Sequence, residues 1–217
     1  MQVATHQCAR FCNDPKRSHE VAAKRIVRYL KGTMDEGITL TPDKSQGFKC
    51  YVDADFAGSW HKDESHLADG CLSRTGYVIT YANCPIMWSS KMQSTISLST
   101  TEAEYVALST ALRDVIYLME LTKEFNKYGI KVPDFDPPKV QCRVFEDNAG
   151  TIEVANSPKL RPRTKHLSVQ LHHFRSCVDR GDITIEHIST KHQIADIFTK
   201  PLPRDAFQYL RGLLCGW

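Results

Sequence analysis

From Phe48 onward the chain alternates apolar and polar residues through three successive stretches before any helical repeat appears, and that order restricts the architecture severely. Phe48, Cys50 and Val52 alternate with Lys49, Tyr51 and Asp53, the period of a strand with one face buried. A polar connection from Gly58 to Thr75 follows, whose role the sequence leaves open. Residues 76–81 and 86–90, joined by Ala82-Asn-Cys-Pro85, then read as two more strands, expected to be antiparallel. Only then does a long helix begin. Ser99-x-x-Glu102 fits a capping box, with Thr101-x-x-Glu104 overlapping it. Leu108, Leu112, Val115 and Met119 form its apolar stripe, and Gly129 ends it. A Pro-rich loop (132–138) leads to a strand at 140–145, a short helix at 148–155 and a helix at 164–180. A strand at 183–188, a helix from about Gln193 and an amphipathic helix at 203–214 complete the order βββαβαβα, with an extra helix at each end. Such an order predicts an α/β fold, a mixed sheet covered by helices.

Residues 1–47 differ from the rest. Asp14-Pro15 is suited to opening a helix, and Ala22, Ala23, Ile26, Val27 and Leu30 recur at helical spacing until Gly32. Lys24, Arg25, Arg28 and Lys31 lie mostly off that stripe, as a solvated face or as a cationic helix along a nucleic-acid backbone. Thr41-Pro42-Asp43 to Gly47 is a turn-rich boundary. At 41% hydrophobic and 24% charged the chain has enough apolar content for a core. A net charge of +3 is too small to argue for a nucleic-acid partner by itself. No apolar run reaches membrane-spanning length, and the start carries no secretion signal, so no membrane role is expected. The eight cysteines are scattered and read as reduced thiols of an intracellular protein. Cys8 and Cys12 could join His166, His172 or His173 around zinc, but no second cysteine pair has finger-like spacing.

The chemistry lies in acids that fall at strand ends and helix starts, about fifty residues apart: Asp53, Glu104, Asp147 and Asp196. Carboxylates delivered by separate elements to one end of a sheet make a hard, oxygen-rich pocket suited to Mg²⁺ or Mn²⁺. Two such ions are how proteins cut phosphodiesters, so the chain reads as a nuclease. Spacing leaves some neighbours unresolved. Asp53 and Asp55 share one side of their strand, and Glu146 and Asp147 take opposite sides of theirs. Glu102 is placed to cap with Ser99, which frees Glu104. Asp196 opens a helix, where a carboxylate is favoured by the dipole alone.

An ordered set of motifs narrows these choices. Tyr51-Val-Asp-Ala-Asp-Phe-Ala-Gly58, Ser73-Arg-Thr-Gly-Tyr77, Trp88-Ser-Ser-Lys-Met-Gln93 and Leu98-Ser-Thr-Thr-Glu-Ala-Glu-Tyr105 come first. Glu146-Asp-Asn148, Arg163-Thr-Lys-His166 and Ala195-Asp-Ile-Phe-Thr-Lys-Pro201 follow. Together they resemble the ribonuclease H domain of copia-type LTR retrotransposon polyproteins, over nearly the whole chain. The basic helix with Tyr29-Leu-Lys-Gly32 resembles the segment joining the reverse transcriptase thumb to that domain. The resemblance implies a ribonuclease H-like fold at 48–217, with a five-stranded sheet of three antiparallel strands and then parallel ones, flanked by helices. Residues 1–47 would be the helical thumb or connection remnant.

The same resemblance implies an endonuclease that hydrolyses the RNA strand of RNA–DNA hybrids with two Mg²⁺ ions, which Mn²⁺ can replace. It selects Asp53 over Asp55 and Asp147 over Glu146, with Glu104 and Asp196 completing the metal-binding, catalytic set. His192, on the loop before Asp196, corresponds to a proton-shuttling histidine of related ribonucleases H. Lys159, Arg161, Arg163 and Lys165 form an extended basic strip that can follow phosphates, with His166 beside it. Arg74, Gln93 and Asn148 are expected minor-groove or backbone contacts. The chain departs from the family at Phe56, where Trp is common, and at Ser168, where an acid is common. The implied partners are the hybrid and the polymerase domain of the same polyprotein. The implied place is inside the cell, in a cytoplasmic virus-like particle or the nucleus. A polymerase reading of Tyr51 to Asp55 fails because Ala54 separates the acids, and an integrase would place its glutamate last. The rival from a different class is a non-catalytic hybrid-binding or decaying polyprotein fragment.

Overall fold

The alternation that opens at Phe48 becomes the central strand of a five-stranded sheet. The computed structural model describes residues 1–60, 70–130, 132, 141–156 and 168–217, with backbone alone at 168–173. Strands β1 (Phe48–Asp55), β2 (Arg74–Tyr81) and β3 (Cys84–Met92) pair antiparallel in succession. On the other side of β1, β4 (Cys142–Glu146) and β5 (Ile183–His187) add in parallel, giving the order β3-β2-β1-β4-β5. The mixed sheet expected from the sequence is therefore present. Its third strand starts earlier than expected because the hairpin turn is only Ala82-Asn83. Both residues have positive φ, 51° and 62°, the backbone of a tight turn matched to strand twist. Pro85, which has no N–H to donate, is tolerated because β3 is an edge strand.

Helix α3 (Thr100–Lys127) covers one face. Its N-cap is Ser99, whose hydroxyl accepts from Glu102 N–H at 3.1 Å, while the Glu102 carboxylate accepts from Leu98 N–H at 2.9 Å. Glu102 is thus spent on capping, as the spacing suggested. The stripe Leu108, Ala111, Leu112, Val115 and Met119 packs onto Cys50, Val52, Ile79, Val144 and Ile183. Each large side chain buried in this way is worth roughly 1.5–3 kcal/mol. Helices α4 (Ala149–Asn156) and α5 (Ser168–Asp179) extend that layer.

The other face carries a smaller cluster of Val78, Ile194 and Phe198, with Tyr51, Ile197 and Leu214 against it. Here a helix from Gln193 was expected. Instead a 3-10 turn (Thr190–His192) precedes a single-turn helix α6 (Asp196–Thr199). Gln193 is fully buried, and its amide donates to the carbonyls of Val52 at 2.9 Å and Phe145 at 3.3 Å. It bridges two strand ends, and the helix waits until Asp196. Gly76 lets α6 lie on the sheet, because a Cβ there would stand 2.5 Å from Thr199 Cγ2 and 2.9 Å from Phe198 Cβ. Helix α7 (Arg204–Cys215) ends the chain.

The N-terminal segment forms α1 (Gln2–Ala9), which the sequence did not suggest, and α2 (Arg17–Gly32). Lys16, not Asp14, is the N-cap of α2, and its N–H donates to His19 Nδ1 at 3.0 Å. The expected apolar stripe of α2 is not buried: no residue of the helix is, and Val21, Val27 and Leu30 are exposed. Residues 39–46 are stitched to the sheet domain, with Thr39 N–H donating to Cys215 O and Ala82 N–H to Gln46 O. Among the described residues no helix is long and apolar enough to cross a membrane. All eight cysteines are free. Residues 133–138 of the Pro-rich loop, the basic strip at 159–165, His166 and residues 61–69 of the Gly58–Thr75 connection lie outside the described residues.

Candidate active site

Strand register assembles the acids. The last parallel pair between β1 and β4 is Tyr51 with Phe145, so the line two residues further on sets Asp147 beside Asp53. Glu104 reaches the same end of the sheet from the first turns of α3. One carboxylate oxygen each from Asp53, Glu104 and Asp147 lies within 4.8 Å of the others. Asp196, at the start of α6, joins through a cation that sequence reasoning missed. Lys200 Nζ lies 2.9 Å from Asp196 Oδ1, an ion pair rather than a directed hydrogen bond, and 3.5 Å from Asp53 Oδ1. The Thr199 hydroxyl donates to Asp53 Oδ2, and Thr190 Oγ1 donates to Asp147 Oδ2 at 2.7 Å. An acid and a lysine four apart on a helix, as Asp196 and Lys200 are, was the available signal.

Asp53, Glu104, Glu146 and Asp196 resist ionising. Burial, and then Glu146, Asp53 and Asp147, push Glu104 up to about 11. Burial raises Asp53, against the pull of Lys200 and Thr199. Burial and the charge of Asp53 push Asp196 up to about 7, with Lys200 opposing. Burial would lower the Lys200 ammonium, yet the charges of Asp53 and Asp196 leave it raised overall. Glu146, also missed as a contributor, is completely buried and is raised by burial to about 9 despite accepting from Asn148 N–H at 3.0 Å. Glu104 Oε2 and Glu146 Oε2 are buried with no hydrogen-bond partner. Buried, unsatisfied carboxylate oxygens of this kind fit a hard divalent cation, which would repay their desolvation. Asp55 lines the neighbouring groove and stands outside the three-acid group.

Other expected site residues are placed differently. Arg74 is 2% exposed, with Nη1 donating to Ser90 Oγ at 3.3 Å and Nη2 2.7 Å from His6 Nδ1 on α1. Gln93 is 5% exposed; its amide donates to Thr75 Oγ1 at 3.1 Å and Ala103 O at 2.9 Å and accepts from Ser97 Oγ at 3.0 Å. In the free chain both side chains are turned inward and brace β2, β3 and the start of α3. Asn148 stays at the rim, its Oδ1 accepting from Thr151 N–H at 3.0 Å to cap α4. His192 is exposed and turned to α7, with Nδ1 3.3 Å from Tyr209 Oη, so the structure does not bring it among the carboxylates.

No protein-family model matches the chain. Its sequence is 35% identical over 208 residues to the retrovirus-related Pol polyprotein from transposon RE1 of Arabidopsis thaliana, covering 96% of this chain and 13% of that protein. It is 32% identical over 206 residues to the retrovirus-related Pol polyprotein from transposon TNT 1-94 of Nicotiana tabacum, covering 95% and 14%. The chain thus spans a small fraction of these relatives. Among solved structures it is similar to LC11-RNase H1 isolated from compost, at 17% identity and a TM-score of 0.48 over 71% of this chain and 93% of that one.

Proposed function

The chain belongs with the copia-type retrotransposon Pol polyproteins as the homologue of one segment of them, and from that premise we propose that it is a metal-dependent ribonuclease H acting on RNA–DNA hybrids. The observation that carries this reading is the convergence of Asp53, Glu104 and Asp147 from three separate elements to within 4.8 Å, with a buried Glu104 oxygen left unpartnered. Asp53, Glu104 and Asp147 would hold one Mg²⁺, and Asp53 with Asp196 a second; Mn²⁺ has the same preference for oxygen. Bound there, the pair would supply an activated water and a Lewis acid at the departing 3′ oxygen. The chain's own residues set the geometry. Thr199 fixes one oxygen of Asp53, Thr190 fixes one of Asp147, and α6 lies against β1 and β2. His192, once turned from Tyr209, is the imidazole on the right loop to carry a proton to the leaving group.

Residues 1–47 would be the thumb or connection remnant and 48–217 the nuclease. The setting would be a retrotransposon's reverse transcription machinery inside the cell, beside a polymerase domain, in a cytoplasmic particle or the nucleus. Lys159, Arg161, Arg163, Lys165 and His166 would follow the backbone of the hybrid, with Asn148 at the rim. Digestion of an RNA–DNA hybrid in Mg²⁺ tests the reading. The RNA strand should be cut, and Asp53→Asn or Glu104→Gln should slow cutting at least about a hundredfold. Equal cutting by Asp53→Asn would refute the site. Hybrid binding without cutting by the unaltered chain would favour the non-catalytic fragment.

A further inference from the structure

The pocket is asymmetric. On one side of Asp53, Glu104 and Asp147 converge on it. On the other side, between Asp53 and Asp196, a cation is already in place: the Lys200 ammonium, 3.5 Å from one carboxylate and 2.9 Å from the other. The two acids keep only 2% and 5% of their side-chain surface exposed, whereas Lys200 keeps 31%. Lys200 therefore reaches in from the surface while the carboxylates stay fixed. Asp53 cannot relax toward it, because Thr199, the residue before Lys200, holds the other oxygen of that carboxylate. Solvent-side room exists as well. Lys200 lines a groove of about 660 Å³ between α1, α2 and the residues after α6, and the Asp55 carboxylate lines the same groove. An ammonium leaving Asp53 and Asp196 has both space and a second acceptor.

We propose that Lys200 is a built-in counter-cation that occupies the second divalent ion's position between Asp53 and Asp196 and is displaced into the groove when that ion binds. Two cations cannot share the same carboxylate oxygens at these distances without strong repulsion. The consequence is ordered loading: the three-acid side takes an ion first, and the Lys200 side takes the second only by exchanging one cation for another. Without divalent ions, the lysine keeps Asp53 and Asp196 together when they would otherwise repel. Lys200 acts through those carboxylates and is a positioning residue.

The inference rests on the metal-binding reading above, and its test separates the two. Mn²⁺ is titrated calorimetrically into the full chain and into Lys200→Met, Lys200→Gln and Lys200→Arg, and melting is followed in EDTA. The unaltered chain should take two ions of unequal affinity. Both neutral variants should bind the second ion about tenfold more tightly and the first within about twofold of unaltered, while melting at a lower temperature in EDTA. Lys200→Arg, which keeps the charge, should keep the unequal pair. A merely structural lysine would weaken ion binding when removed, not strengthen it. Two bound ions with an unchanged or weaker second affinity in Lys200→Gln would overturn this proposal and leave the nuclease reading standing. No ion bound by any form would overturn both.

Discussion

Carboxyl groups carried into a dry pocket by a strand and a helix hold their protons longer than they do in water. Asp53, Glu104, Glu146 and Asp196 are all raised, burial first among the causes, with Asp196 reaching about 7 and Glu146 about 9. The unfolded chain releases these protons near pH 4, so above that the native state binds more protons than the unfolded one. Stability in EDTA should therefore be full below about pH 4 and decline from there, most steeply up to about 7, more gently to about 9 and more gently still to about 11, as Asp196, Glu146 and Glu104 in turn ionise in the folded chain. Calorimetric melting across that range checks it, and Mg²⁺ should restore most at the alkaline end. Glu146→Gln should make the decline shallower throughout, from about pH 4 to about pH 9. A profile that rises with pH would contradict the packing of these acids. The acids proposed to hold metal were legible as candidates because each sits at a strand end or helix start. Glu146 and Lys200 were not, since their parts depend on which acid faces inward at the end of β4 and on where α6 lies.

At the level of elements, two backbone positions stand out, one at the pocket and one at the opposite end of the sheet. Gly76 pairs with Asp53 across β1 and β2, and it is where α6 presses onto the sheet. Gly76→Ala should push Thr199 and Phe198 outward, costing about 1–3 kcal/mol and weakening cation binding through Asp196. Denaturant unfolding and Mn²⁺ titration read the two effects, and an unchanged midpoint would contradict the close approach. The β2–β3 turn makes the opposite case. Ala82 holds φ at 51°, a conformation costly for a residue with a Cβ, so Ala82→Gly should stabilise the chain by up to about 1 kcal/mol. The long helix and the strands were readable from their periods, because α3 buries one stripe and β1 one face. The turn and the delayed α6 were not, since Ala82-Asn83 lacks a glycine and Gln193 answers to strand ends far away in sequence. Nor was α1, which brings His6 Nδ1 within 2.7 Å of the Arg74 guanidinium.

Across the whole molecule, a mixed sheet brings residues from 53 to 196 to one end, and no local stretch could make that pocket alone. Strand direction was legible because three successive strand-like stretches favour antiparallel neighbours and helices between later strands favour parallel ones, whereas the pairing of β4 with β1 was not. The seat of the N-terminal segment was not, because it depends on backbone bonds such as Thr39 to Cys215 at the far end of the chain. With a net charge of only +3, long-range attraction to nucleic acid is weak, and affinity for a hybrid must come from local cations. Alanine across Lys159, Arg161, Arg163 and Lys165 should lower hybrid affinity and flatten its salt dependence by roughly one log–log unit for each phosphate no longer neutralised. An unchanged salt slope would remove the strip from the interface. The most direct measurement of all is anomalous scattering from crystals soaked in Mn²⁺. Two peaks about 4 Å apart are expected, one among Asp53, Glu104 and Asp147 and one between Asp53 and Asp196 with Lys200 moved aside. Crystals with no manganese at these carboxylates, or with manganese only elsewhere on the chain, would contradict the metal-binding site.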